Sequence, residues 1–113
     1  MSGAALDMAA FAELQETAGA DFVQELVDTF LEEAPRMLGA LRAAAAAGQA
    51  DAFRRAAHSL KSNANTFGAT GLGAMARDLE LGGLPPAGQG GALEALEAEY
   101  VRVVARLAEL RRG

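Results

Sequence analysis

Residues 51–68 read Asp-Ala-Phe-Arg-Arg-Ala-Ala-His-Ser-Leu-Lys-Ser-Asn-Ala-Asn-Thr-Phe-Gly. Apolar side chains fall at Phe53, Ala56, Ala57, Leu60, Ala64 and Phe67, at spacings of three and four. That is the period of an amphipathic helix. Asp51, or Gln49 just before it, opens the helix, and Gly68 stops it. At about 100° per residue, His58 lies roughly 140° from Phe53 and faces solvent. Arg54, Lys61, Ser62 and Asn65 stand at i−4, i+3, i+4 and i+7 from His58 and share its side. The one imidazole of the chain therefore stands in a polar strip with two cations and two uncharged polar groups.

The same pattern extends both ways. Upstream, Val23, Leu26, Val27, Phe30, Ala34, Met37, Leu38, Leu41 and Ala45 trace one stripe of a long helix over 21–47, closed by Gly48. Pro35 lies inside that stripe, where a missing donor and a crowded turn predict a kink. Before it, Asp7 caps a short helix over 7–16 carrying Phe11 and Leu14, and Gly19 breaks it. Downstream, Thr70 caps a helix over 70–82 with Leu72, Met75, Ala76 and Leu79 on one face. Residues 82–91, rich in Gly and Pro, read as a connector within one domain. A last helix over 92–111 carries Leu93, Leu96, Tyr100, Val103, Leu107 and Leu110 in a strict seam. The expected fold is all-α: an antiparallel four-helix bundle with an additional short N-terminal helix, one domain spanning 1–113.

Composition agrees. Among 113 residues there are 28 Ala and 15 Leu, no Ile, five Val and four Thr. Strands favour β-branched and aromatic residues, so a β-rich fold is excluded. Without Cys there is no disulfide, thiolate metal site or Cys nucleophile. No apolar run is long enough to span a membrane, and the N-terminus lacks a signal-peptide pattern. A cytoplasmic location is the expectation. The net charge of −5 argues against nucleic-acid or membrane docking through a general basic surface. The Ala, Gly and Arg bias points to a bacterium of high genomic GC content.

Little else in the chain is chemically suggestive. One His makes no multi-His metal site, and Glu32 and Glu33 point apart on their helix. Ser62 can reach the His58 ring, but a hydrolase would need an orienting acid and an oxyanion hole as well. A neutral imidazole is itself a nucleophile near physiological pH. Nearby cations favour its neutral form and attract a phosphoryl group.

The stretch from Ala57 to Ala69 resembles the signature of histidine-containing phosphotransfer (HPt) domains, which reads His-x-Leu-Lys-Gly with a further Gly ten residues after the His. His58, Leu60, Lys61 and Gly68 match. Ser62 stands where Gly is usual, and it is small enough to leave space beside the imidazole. Phe22, Phe30, Ala34-Pro35 and Leu41 upstream, and Leu72 and Leu79-Glu80 downstream, are also similar to the family pattern. The resemblance covers about residues 5–112.

The resemblance implies a relay in which His58 takes a phosphoryl group from an aspartate of one receiver domain and gives it to another. Lys61 would stabilise the phosphoryl group. Arg54, Ser62, Asn65 and Glu80 would line the partner surface; a helical hairpin turning near Gly68 brings Glu80 opposite His58. The protein would carry no cofactor, and Mg²⁺ would come with the receiver. It would have no autokinase activity and act as a monomer. Two alternatives stay open: the phosphoacceptor domain of a chemotaxis-type kinase, and an adaptor or inhibitor bundle that binds a kinase or receiver without being phosphorylated.

Overall fold

A computed structural model describes residues 5–84 and 91–112. They form five helices: α1 (Met8–Ala18), α2 (Ala20–Ala47), α3 (Ala50–Thr66), α4 (Thr70–Gly82) and α5 (Gly91–Arg112). No strand occurs among the described residues. Short connections join α2 to α3 and α3 to α4, so these helices pack as antiparallel neighbours. α3 packs against α2 and α4, α4 against α5, and α2 against α5, which closes the ring. α1 lies on α2. Residues 85–90 of the expected connector lie outside the described residues.

The helix ends follow the local chemistry closely. Asp7 caps α1, its Oδ1 accepting from the amides of Ala9 and Ala10 at 3.1 and 3.2 Å. Gly19, at φ 94°, separates α1 from α2. Gly48 ends α2 in the left-handed conformation, φ 69° and ψ 29°, which Gly adopts without steric cost. One expectation is corrected. Thr70 is the first residue of α4 rather than its cap; Ala69 occupies the cap position and offers no side-chain acceptor. Pro35 lies inside α2, with helix on both sides of it. Of the two expected openers of α3, Gln49 takes the cap position, and Asp51 lies in the first turn.

The core is one cluster of buried side chains drawn from all five helices. Phe30 of α2 meets Phe67 edge-on at 5.3 Å between ring centres, and Tyr100 of α5 at 6.3 Å. Such aromatic pairs add about 0.5–1.5 kcal/mol beyond their buried area. On the inner face of α3, Phe53, Ala57, Leu60 and Ala64 are fully buried. Small residues (Ala57 and Ala64 on α3, Gly73 and Ala76 on α4) are buried on these two adjacent helices.

One buried charge was not anticipated. Glu99, inside the apolar seam of α5, is only 6% exposed. Its Oε1 takes a bond from Arg102 at 2.8 Å. Its Oε2 lies where a Cβ on Gly71 would be 3.1 Å away. The carboxylate thus sits on the first turn of α4, the helix start that has no side-chain cap. A negative charge there is favourable against the helix dipole.

Candidate functional site

α3 sets the direction of its polar face by burying the opposite one. With Phe53, Ala57 and Leu60 locked in the core, His58 must project outward, and its side chain is 57% exposed. α4 is fixed in the same way by Ala76 and Leu79. Glu80, the next residue, therefore stands at the α3–α4 edge rather than in the core.

There it meets His58. Nδ1 of the imidazole is 2.9 Å from Glu80 Oε2. The ammonium of Lys61 is 2.8 Å from the other carboxylate oxygen, Oε1. The exposure is graded: Glu80 at 15% and Lys61 at 25% lie beneath a far more open ring. Glu80 is held below the ordinary carboxyl range, first by its hydrogen bond from Lys61 and then by that with His58, against a smaller opposing effect of burial. It is an ionised, acceptor-only carboxylate at neutral pH. The neutral imidazole must then donate through Nδ1–H, which leaves the lone pair on Nε2, the nitrogen away from Glu80.

The remaining residues of the strip divide. Arg54 pairs with Asp51, Nη2 to Oδ1, at 2.7 Å, and its charge also interacts with that of Glu80. The hydrogen bond to Asp51, with the Arg54 charge and a more distant Arg55, keeps Asp51 below the usual carboxylate range. Both cations expected to favour a neutral ring are thus already paired, and the charged group touching the ring is a carboxylate. Ser62 is exposed, and its carbonyl accepts from Thr66 Oγ1 at 2.9 Å. Asn65 is exposed but leans on α4: a Cβ at Gly73 would stand 2.9 Å from its Cγ. The pairs His58–Glu80 and Asn65–Gly73 are each separated by seven residues along both helices, two turns of one antiparallel register. On the other flank of α3, Arg55 and Ser59 line a shallow groove with Arg36 and Met37 of α2.

Sequence reading had placed Glu80 opposite His58, and the structure brings the two into contact. It missed the tie between Asp51 and Arg54, although their i, i+3 spacing signals it. It also missed Gly73, which no local pattern marks. Among the described residues, no group of three or more His, Cys, Asp or Glu side chains is placed to hold a metal ion. None of the helices described is long and apolar enough to cross a membrane.

Comparison with protein families gives a match to a family described as the Hpt domain, over residues 25–112. The match begins within α2, so it takes in all of α3 and α4 and leaves α1 outside. Comparisons with curated proteins and with solved structures return no match.

Proposed function

The chain belongs to the Hpt domain family, and from that premise we propose that His58 relays a phosphoryl group between aspartates of receiver domains in a two-component phosphorelay. The observation that carries this reading is the hydrogen bond from His58 Nδ1 to Glu80 at 2.9 Å on a ring that is otherwise open to solvent. It fixes the tautomer whose free lone pair, on Nε2, is exposed to an incoming phosphorus.

The step is an in-line displacement. The Nε2 lone pair forms the N–P bond while the P–O bond to the donor aspartate breaks, and that electron pair stays on the aspartate oxygen. Positioning and charge stabilisation supply the catalysis. Glu80 orients the ring and faces the positive charge that develops on it. Lys61, one turn from His58, leaves Glu80 to meet phosphoryl oxygens. Arg54, Ser62 and Asn65 form the docking face around the imidazole, with Ser62 leaving room for the partner. The receiver brings the acidic cluster and Mg²⁺. The bundle acts as a single-domain monomer in the cytoplasm and takes its phosphoryl group from a protein rather than from ATP.

The test is incubation with a receiver domain carrying labelled phospho-aspartate. Label should appear on the parent chain and be absent from His58→Gln, whose circular dichroism and melting curve match the parent. Label on His58→Gln would place the acceptor elsewhere. Binding to the receiver without label would favour the adaptor reading.

A further inference from the structure

Glu80 is bound on both oxygens, by the imidazole on one and by an ammonium on the other. The reactive nitrogen, Nε2, is on the far side of the ring. Whatever Glu80 does for the chemistry, it does through the proton on Nδ1.

That proton matters more after phosphorylation than before it. When Nε2 accepts the phosphoryl group with Nδ1–H in place, the ring becomes a phosphoimidazolium cation. In onward transfer the acceptor carboxylate attacks phosphorus, the P–N bond breaks, and its electron pair returns to Nε2. The leaving group is then a neutral imidazole, and no proton moves. If Nδ1 has meanwhile lost its proton to water, the same step must expel an imidazolate. That is a far stronger base and a poorer leaving group, so the phosphoryl group is stranded on the ring.

We propose that Glu80 is a positioning residue that keeps the Nδ1 proton on phospho-His58 and so keeps it able to give its phosphoryl group away. This rests on the phosphorelay reading and extends it from acceptance to release. The charged surroundings support it. On α3, Arg54 is paired with Asp51, and Arg55 lies 4.0 Å from the same carboxylate. From the α2 side, Arg36 lies across the groove that Arg55 lines and is 3.8 Å from Glu33. On α4, Arg77 is exposed one turn before Glu80. Among the described residues, Glu80 is the charged group hydrogen-bonded to the imidazole, and an adjacent negative charge favours a protonated, positive ring. Lys61 opposes it as a positive charge beside the ring, whether it sits on the carboxylate or on the phosphoryl oxygens.

The experiment uses the chain phosphorylated on His58 with phosphoramidate. Phosphorus-31 and nitrogen-15 spectra follow loss of the Nδ1 proton from about pH 6 to about pH 9, and transfer to a receiver aspartate is timed over the same range. In Glu80→Gln the proton should leave at lower pH than in the parent. In Lys61→Ala it should leave at higher pH. Above its own transition each chain should transfer about tenfold more slowly per pH unit. Glu80→Gln then lags the parent near the alkaline end and matches it near the acid end. Identical titrations in parent and Glu80→Gln overturn the inference, as does a lag of one constant factor at every pH. If Glu80→Gln does not fold, Lys61→Ala decides by the sign of its shift: upward supports the inference, and an unmoved or downward shift overturns it. Should no receiver aspartate accept from the parent, the phosphorelay reading fails, while the ring titration still decides the role of Glu80.

Discussion

Two carboxylates meet the α3–α4 pair in opposite circumstances. Near its turn, Glu99 of α5 lies against Gly71 with its side chain 8% exposed, tied to Arg102. Away from the turn, Glu80 is also held by a cation and largely covered, but its second oxygen holds a ring that solvent reaches. The turn is closed over from outside as well. The amide of Asp7 donates to the carbonyl of Gly68 at 2.7 Å, and Leu6 beside it is buried. Burial of a charged group is therefore common to both carboxylates, and contact with an exposed imidazole is what sets Glu80 apart.

The largest separation of the two ends should come from Ser62→Leu. Ser62 lies one turn beyond His58 on the same exposed face. A receiver must bring its aspartate within roughly 3–3.5 Å of the reacting atoms, and a branched side chain at this position obstructs that path. Transfer should be lost while the melting temperature stays near the parent's. Parental transfer by Ser62→Leu would put the docking face elsewhere. Lys61→Ala comes next, since a charge-assisted hydrogen bond to a phosphoryl group is worth about 1.5–3 kcal/mol. Transfer rates should fall accordingly with the fold intact; unchanged rates in both directions would reduce Lys61 to a partner of Glu80 alone.

Much of the open end was legible in the sequence because it follows from helix phase. Once Phe53, Leu60 and Phe67 define the inner face of α3, the outward direction of His58 and the residues sharing it follow from 100° per residue. Glu80 was reachable by counting equal distances from the turn. The closed end was not legible in this way. Glu99 looks like any surface acid until α5 is docked on α4, because the uncapped helix start that it faces is a tertiary feature. Gly71 and Gly73 likewise carry no local signal: what they make room for, a carboxylate from α5 and the carboxamide of Asn65, comes from other helices. Thr70 misled because Thr is a good cap by type, whereas here the backbone turns one residue earlier.

The closed end has its own sharper test in Gly68→Ala. Gly68 has φ 82°, and a Cβ there would meet the carbonyl oxygen of Asp7 at 3.0 Å and Ala10 Cβ at 3.2 Å. The left-handed conformation alone costs a side chain roughly 1–2 kcal/mol, and the crowding against α1 adds to it. Thermal unfolding should show this loss, while the folded fraction transfers at the parental rate. If Gly68→Ala melts like the parent but transfers slowly, the two ends are not the independent parts described here.

The smallest expected effect is a pH dependence that distinguishes the ends by its salt response. The Glu80 carboxyl is held below its ordinary value of 4.5, mainly by hydrogen bonds from Lys61 and His58. The sign follows from linkage: a carboxyl that binds its proton less readily when folded contributes stability that is fully present above about pH 4.5 and is lost as pH falls through the lowered folded value. Asp51, held down by Arg54 on the exposed face of α3, acts in the same direction. Solvent screens both pairs, so the contribution is small and shrinks further in salt. Melting temperatures measured downward from neutral pH should fall slightly more in the parent than in Glu80→Gln, and high salt should narrow the difference. A Glu80→Gln chain that loses as much stability on acidification as the parent, at low salt, would mean that the carboxylate serves the imidazole without helping to hold α4 on α3.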